Sequence, residues 1–337
     1  LFSGNVTVLS NGNYLVALPH WDNGEIVDAG AVAWGNGATG TSGPVSAANS
    51  LVGSSPNDGV GYTVVELLGN GNYVVGSYDW DNGSITDAGA VTWGSGATGV
   101  TGVVSPLNSL VGSQSGDRVA LGFIEALSNG NYVVGSPNWN NGTAIEAGAA
   151  TWVNGSTGTT GVVSSLNSLV GSSTYDRVGR GVTALNNGNY VISSSLWDNG
   201  DIVDAGAVTW GNGATGISGT VSPENSLVGD KVSDRVGLGG AAALSNGNYV
   251  VSSVLWNNGL AQSAGAATWG NGSTGTTGVV SPLNSLVGSS DYDYVGGQII
   301  SLNNGHFVVR SQYWSNGDTV EAGAVTWGNG FTGITGV

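Results

Sequence analysis

A tryptophan, a carboxylate or carboxamide, an asparagine and a glycine follow one another at Trp21-Asp22-Asn23-Gly24, and the string returns along the chain. Its leading pairs are Trp21 and Asp22, Trp80 and Asp81, Trp139 and Asn140, Trp197 and Asp198, and Trp256 and Asn257; the sixth copy has Trp314 followed by Ser315. An indole beside an Asp or Asn is a common way to hold a sugar, with the apolar face of the pyranose on the ring and hydroxyls on the polar groups. Six copies would add weak sites together by avidity. The same string has a plainer reading, in which the indole plugs the end of a sheet and Asp-Asn-Gly only makes a turn.

Two further acidic series recur. Asp28, Asp87, Glu146, Asp204 and Glu321 form one, broken by Ser263; Asp58, Asp117, Asp176, Asp234 and Asp293 form the other. The second series could gather cations around a central channel, or each carboxylate could accept backbone N–H bonds and fix a turn between repeats. A hard cation needs several oxygens converging on one point, and no Asp-x-Asp-x-Asp run supplies them, so no metal site and no cofactor are expected; Ca2+ has no loop motif to support it. His20 and His306 occupy unrelated repeat positions, which argues against a histidine metal site. There is no cysteine, so thiol catalysis and thiolate ligation are excluded. A catalytic Ser-His-Asp set would need a recurring histidine, and chemistry usually breaks repeat symmetry where it happens. Paired carboxylates for glycoside hydrolysis stay open, but the expectation is a protein with no catalytic residues. Sequons at Asn5, Asn82, Asn141, Asn154 and Asn271 arise mostly from Asn-Gly turns and are assigned no role.

Charge narrows the partners. Six basic residues stand against 22 acidic ones, a net charge of −16, so no basic face exists to neutralise phosphates and nucleic acid is excluded as a partner. No apolar run approaches the length of a membrane helix, so no direct membrane insertion is expected. The absence of methionine suggests a piece of a longer protein, and the absence of cysteine leans toward a bacterial surface or secreted protein.

The elements that must position these residues follow from a repeat. Asn-Gly-Asn-Tyr begins at Asn11, Asn70, Asn129, Asn187 and Asn246, and decays to Asn-Gly-His-Phe at Asn304, a period of 58 or 59 residues. All 12 tryptophans fall in pairs 13 apart, from Trp21 and Trp34 to Trp314 and Trp327. Each copy reads as four strands. In the fourth copy these are Val182 to Leu185, Tyr190 to Ser194, Ala205 to Trp210 and a weak one at Ile217 to Val221, followed by a connector, Asn225-Ser226-Leu227-Val228-Gly229. Asn187-Gly188 reads as a two-residue hairpin turn in which both residues take positive φ. No stretch has helical periodicity. Strand three has a bulky face (Val208, Trp210) and a small one (Ala205, Ala207, Thr209), so the bulk of one copy can fill the shallow face of the next.

The expected fold is therefore all-β: a single six-bladed β-propeller of four-stranded antiparallel blades, at about 1–46, 60–105, 119–164, 178–222, 236–281 and 295–337, closing when the sixth meets the first. The alternative is a β-solenoid or other repeat array. WD40 repeats do not fit, because the period is too long and the Gly-His partner is missing.

The string Ala184 to Gly211, its five sisters and the connector Asn-Ser-Leu-Val-Gly resemble bacterial DUF5650 tandem repeats of large secreted adhesin-like proteins. More distantly, the unit is similar to the FG-GAP repeats of integrin α-subunit propellers, on Val178-Gly179, the Asn-Gly turn and the small-residue end Gly135-Ser136-Pro137. It departs from them where the Asp-rich calcium loop shrinks to a tight turn. These resemblances imply an extracellular or bacterial cell-surface module used for adhesion, and no chemistry. The functional expectation is a non-catalytic scaffold or adhesion module; the alternative is a multivalent carbohydrate-binding propeller using the Trp loops. Its partners would be cell-surface glycans or other surface proteins.

Overall fold

The computed structural model describes residues 5–61, 65–67, 69 and 71–337; Asn70, the hairpin anchor of the second repeat, lies outside them. The described residues form six sheets of three to five strands and no helix. In the fourth repeat, strand one is Gly181–Ala184, strand two Tyr190–Ser194 and strand three Ala207–Gly211, all antiparallel neighbours.

The Asn-Gly turn differs from the two-residue form expected. Gly188 N–H bonds the Leu185 carbonyl at 3.1 Å and Leu185 N–H the Asn189 carbonyl at 2.8 Å, while only Gly188 takes a positive φ, 87°. This is the longer hairpin loop, a turn closed by one left-handed glycine, so Asn187 keeps an ordinary backbone and frees its side chain.

The fourth strand is a correction. The connector Ser226–Val228 pairs antiparallel with strand three and completes the sheet. The stretch expected to be strand four, now Gly219–Thr220, crosses to the third repeat and lies parallel to Ser168–Val170. The physical reason is burial. Leu227 and Val228 belong in the core and are 1% and 0% exposed, whereas the Gly-Ile-Ser-Gly-Thr run has too little apolar bulk to hold that place. The first five sheets thus run past the boundaries drawn from the sequence. The first four sheets take a short fifth strand from the following repeat, and the fifth sheet receives a single parallel bridge, Leu286 to Gly336.

Consecutive sheets stack face to face around five cores. Between repeats four and five, Val191, Val208 and Leu227 meet Tyr249, Val251, Trp256 and Ala266. The bulky face of strand three lies on the small face of the next, as the side-chain alternation implies. The same pairing recurs between the other neighbours. This is the layer arrangement of propeller blades. Among the described residues no strand pairing joins the sixth repeat to the first. Val325 and Trp327 of the sixth repeat are 75% and 53% exposed, while Val208, the counterpart of Val325, is 1% exposed. The contacts that nest the other sheets therefore do not cover this face.

Candidate binding surface at the loop end

The topology gives every sheet two ends. The hairpin between strands one and two and the turn after strand three share one end. The Trp loop and the connector to the next repeat share the other.

The hairpin end is a lock. Three donors from repeat three converge on one carbonyl of repeat four: Asn129 Nδ2 at 2.7 Å, Asn131 Nδ2 at 2.8 Å and Trp152 Nε1 at 2.9 Å, all from the Gly213 oxygen. The set recurs from Asn187, Asn189 and Trp210 to Gly272, and from Asn246, Asn248 and Trp269 to Gly330. In these copies this accounts for the Asn-Gly-Asn motif and the second tryptophan as interface residues.

The Trp loop places its indoles in the cores. Trp197 turns in after strand two, its N–H bonded to the Ser194 carbonyl, and packs among Val133 and Leu169 of the preceding repeat. Trp80, Trp139, Trp197 and Trp256 are 2–4% exposed, and Trp21 and Trp314 are half-buried. A sugar stacks on an exposed ring face, and the four buried rings offer none. Their Nε1 atoms have no hydrogen-bond partner.

The polar residues beside these rings close the loop on itself. The side chains of Asp22, Asp81, Asn140, Asp198 and Asn257 accept the N–H of Asp28, Asp87, Glu146, Asp204 and Ser263 at 2.8–2.9 Å. In the sixth copy Ser315 Oγ takes the same place toward Glu321 N–H at 3.4 Å. At Trp80, Trp139, Trp197 and Trp256 the candidate sugar residues are thus structural in placement: indole inward, polar neighbour bonded to its own loop.

The first acidic series pairs with the arginine of the connector: Asp87 with Arg118 at 2.9 Å, Asp204 with Arg235 at 2.8 Å, and Glu146 with Arg177. The second is buried and staples repeats. Asp176 Oδ2 accepts the N–H groups of Ser172 and Ser173 at 2.8 Å each, and its Oδ1 accepts that of Asp198, in the next repeat, at 2.9 Å. Burial pushes the carboxyls of Asp58, Asp117, Asp176 and Asp234 above their ordinary value, and the N–H bonds only partly offset it. Among the described residues no three His, Asp or Glu side chains gather into a metal-holding group. His20 faces Asp28 at 3.2 Å, and His306 packs on Trp327 with ring centroids 4.9 Å apart.

A model of a repeat of unknown function, DUF5650, matches residues 8–62, 67–121, 126–180, 184–238, 243–297 and 301–337. The chain belongs to the DUF5650 family. No curated protein matches it. Among solved structures it is similar to a streptogramin B lyase structure, at 10% identity and a TM-score of 0.39 over 96% of this chain and 78% of that one. That likeness is too loose to bear on function.

What motif reading missed in the DUF5650 repeats is where they differ from one another. The hairpin end is nearly constant, with Leu-x-Asn-Gly-Asn-Tyr in five copies. The loop end is not. The residues just before the loop tryptophan are Pro19-His20, Tyr78-Asp79, Pro137-Asn138, Ser195-Leu196, Val254-Leu255 and Gln312-Tyr313. The connectors vary likewise, as in Ser54-Ser55-Pro56-Asn57 against Asp230-Lys231-Val232-Ser233. Clefts of about 530 and 490 Å³ open there, where strand one begins and strand two ends. The signal was present in the alignment of the six copies; only the topology shows that the variable positions share an end.

Proposed function

We propose that this chain is a non-catalytic adhesion module, displayed at a bacterial surface or secreted, whose repeats lock together at the hairpin end and present a variable loop end to a partner. The observation that carries the reading is that asymmetry. A scaffold needs its interface residues in every copy, and a recognition surface needs them to differ. The partner would be a surface glycan or another surface protein. The polar groups of the Trp loop support the non-catalytic side, since each is already bonded within its own loop. The acidic, cysteine-free composition supports the location.

An array of glycans and extracellular proteins probed with the purified chain tests this. Two variant sets are compared, one at the loop end (Leu260→Ser, Tyr292→Ala, Tyr313→Ala) and one at the hairpin end (Ser10→Ala, Asn36→Ser, Phe331→Ala). Binding lost only in the first set supports the reading. Binding lost only in the second, or no captured spot at all, removes it.

A further inference from the structure

Six cations serve this acidic chain, and four are engaged. Arg118, Arg177 and Arg235 pair with carboxylates, and Lys231 bonds the Asn257 carbonyl at 2.7 Å and lies over the Trp256 ring. The remaining two have no anionic partner among the described residues. They line two clefts of the loop end: Arg180 the one between repeats four and five, Arg310 the one at repeat six.

The Arg310 cleft has the fuller set of groups. Its volume, about 530 Å³, suits one or two sugar rings. Tyr294 and Tyr313 form one wall, edge to face with ring centroids 5.7 Å apart. Gln298 and Gln312 supply amides, and Arg310 Nη1 donates to Gln298 Oε1 at 3.2 Å, which leaves the rest of the guanidinium fork unspent.

These side chains depart from the repeat together. Arg310 stands where the other copies have Ala17, Gly76, Gly135, Ser193 and Ser252. Tyr294 replaces the arginine that pairs at Arg118, Arg177 and Arg235, and Ser263 replaces the carboxylate it would have met. A repeat that only had to pack had no use for either change. At Gly135 a mere Cβ would come 2.3 Å from the Gly179 carbonyl of the following repeat, whereas Arg310 is exposed and no sheet among the described residues lies on it.

We propose that this cleft binds an acidic saccharide, its carboxylate on Arg310, an apolar pyranose face on the two tyrosines and its hydroxyls on the glutamine amides. A planar fork meets a carboxylate with two parallel hydrogen bonds, and an aromatic wall selects a ring over a bare anion. The proposal deepens the adhesion reading by naming the ligand class for one place on the loop end.

Titration calorimetry tests it with a glucuronate-containing disaccharide, maltose and acetate. The uronate is expected to bind at least about tenfold more tightly than either control, and to lose roughly that factor in Arg310→Ala and in Tyr313→Ala. Both residues are exposed, so the thermal midpoint of each variant is expected to match the parent. Equal binding of maltose removes the role of the charge, and equal binding of acetate removes the sugar. Uronate binding that survives Arg310→Ala, or none at about 10 mM, overturns the site. If array binding is still lost in loop-end variants while the uronate fails, the acidic-sugar site is wrong and the adhesion reading stands.

Discussion

Asp176 reaches across a repeat boundary and accepts the backbone N–H of Asp198 at 2.9 Å, with its other oxygen held by Ser172 and Ser173. One side chain thus closes its own turn and fixes the next Trp loop. It is fully buried, so truncation would strand three donors away from water. Asp176→Ala is expected to cost about 2–4 kcal/mol in urea unfolding. Asp22→Ala, which removes one exposed loop bond, is expected to cost about 1 kcal/mol or less. Equal losses in the two variants would show that the boundary bond adds nothing to an ordinary turn.

The same carboxylates set a pH dependence. Burial holds the folded-state values of Asp58, Asp117, Asp176 and Asp234 above the ordinary 3.8. Between the ordinary value and the raised one, the folded chain binds more protons than the unfolded chain, so stability falls as pH rises. The contribution is complete below about pH 3.8 and is lost as pH climbs through the raised values. The urea midpoint of the parent is expected to drop from pH 4 to pH 7 by more than that of Asp176→Asn, which carries no titrating group there. A larger drop in the variant would reverse the sign argued here.

The all-β class, the six copies and the nesting of bulky on shallow faces were legible because period, turn residues and side-chain alternation all act locally. Strand four was not. Gly219–Thr220 and Ser226–Val228 are both short, and only competition for a buried edge decides which joins its own sheet. The placement of the candidate site was hidden for a related reason. Trp197 and Asp198 read as a sugar platform in sequence, and whether an indole points out or in depends on the preceding repeat, 58 or 59 residues away. Arg310 was invisible as a site residue because it matters only beside Tyr294 and Gln298.

Gly213 shows how closely the hairpin ends approach. A Cβ there would lie 1.7 Å from the Gly188 carbonyl oxygen, a backbone atom with nowhere to move. The Gly213 carbonyl also holds Asn129, Asn131 and Trp152 of the preceding repeat. Gly213→Ala is expected to cost more than about 3 kcal/mol and to loosen the boundary between repeats three and four. Hydrogen exchange of the Gly155 and Gly213 turns reads this directly. A variant with parent-like protection and urea midpoint would mean that the turn can shift aside at little cost.

Trp327 is the strand-three indole that, among the described residues, no following repeat covers. Trp93, Trp152, Trp210 and Trp269 each donate to a glycine carbonyl of the next repeat at 2.9–3.0 Å, and Trp34 does so at 3.1 Å, whereas Trp327 is 53% exposed and touches His306. The other indoles are buried or half-buried. Acrylamide should therefore quench Trp327 first, and Trp327→Phe is expected to remove most of the easily quenched emission without shifting the thermal midpoint. Trp197→Phe, made within a core, should leave that fraction intact and lower the midpoint instead. Should Trp327→Phe leave the quenchable fraction unchanged at every protein concentration, the face is covered within the chain and the sixth repeat does meet the first. Quenching by that residue that fades only as concentration rises would instead mean that a second copy supplies the missing neighbour.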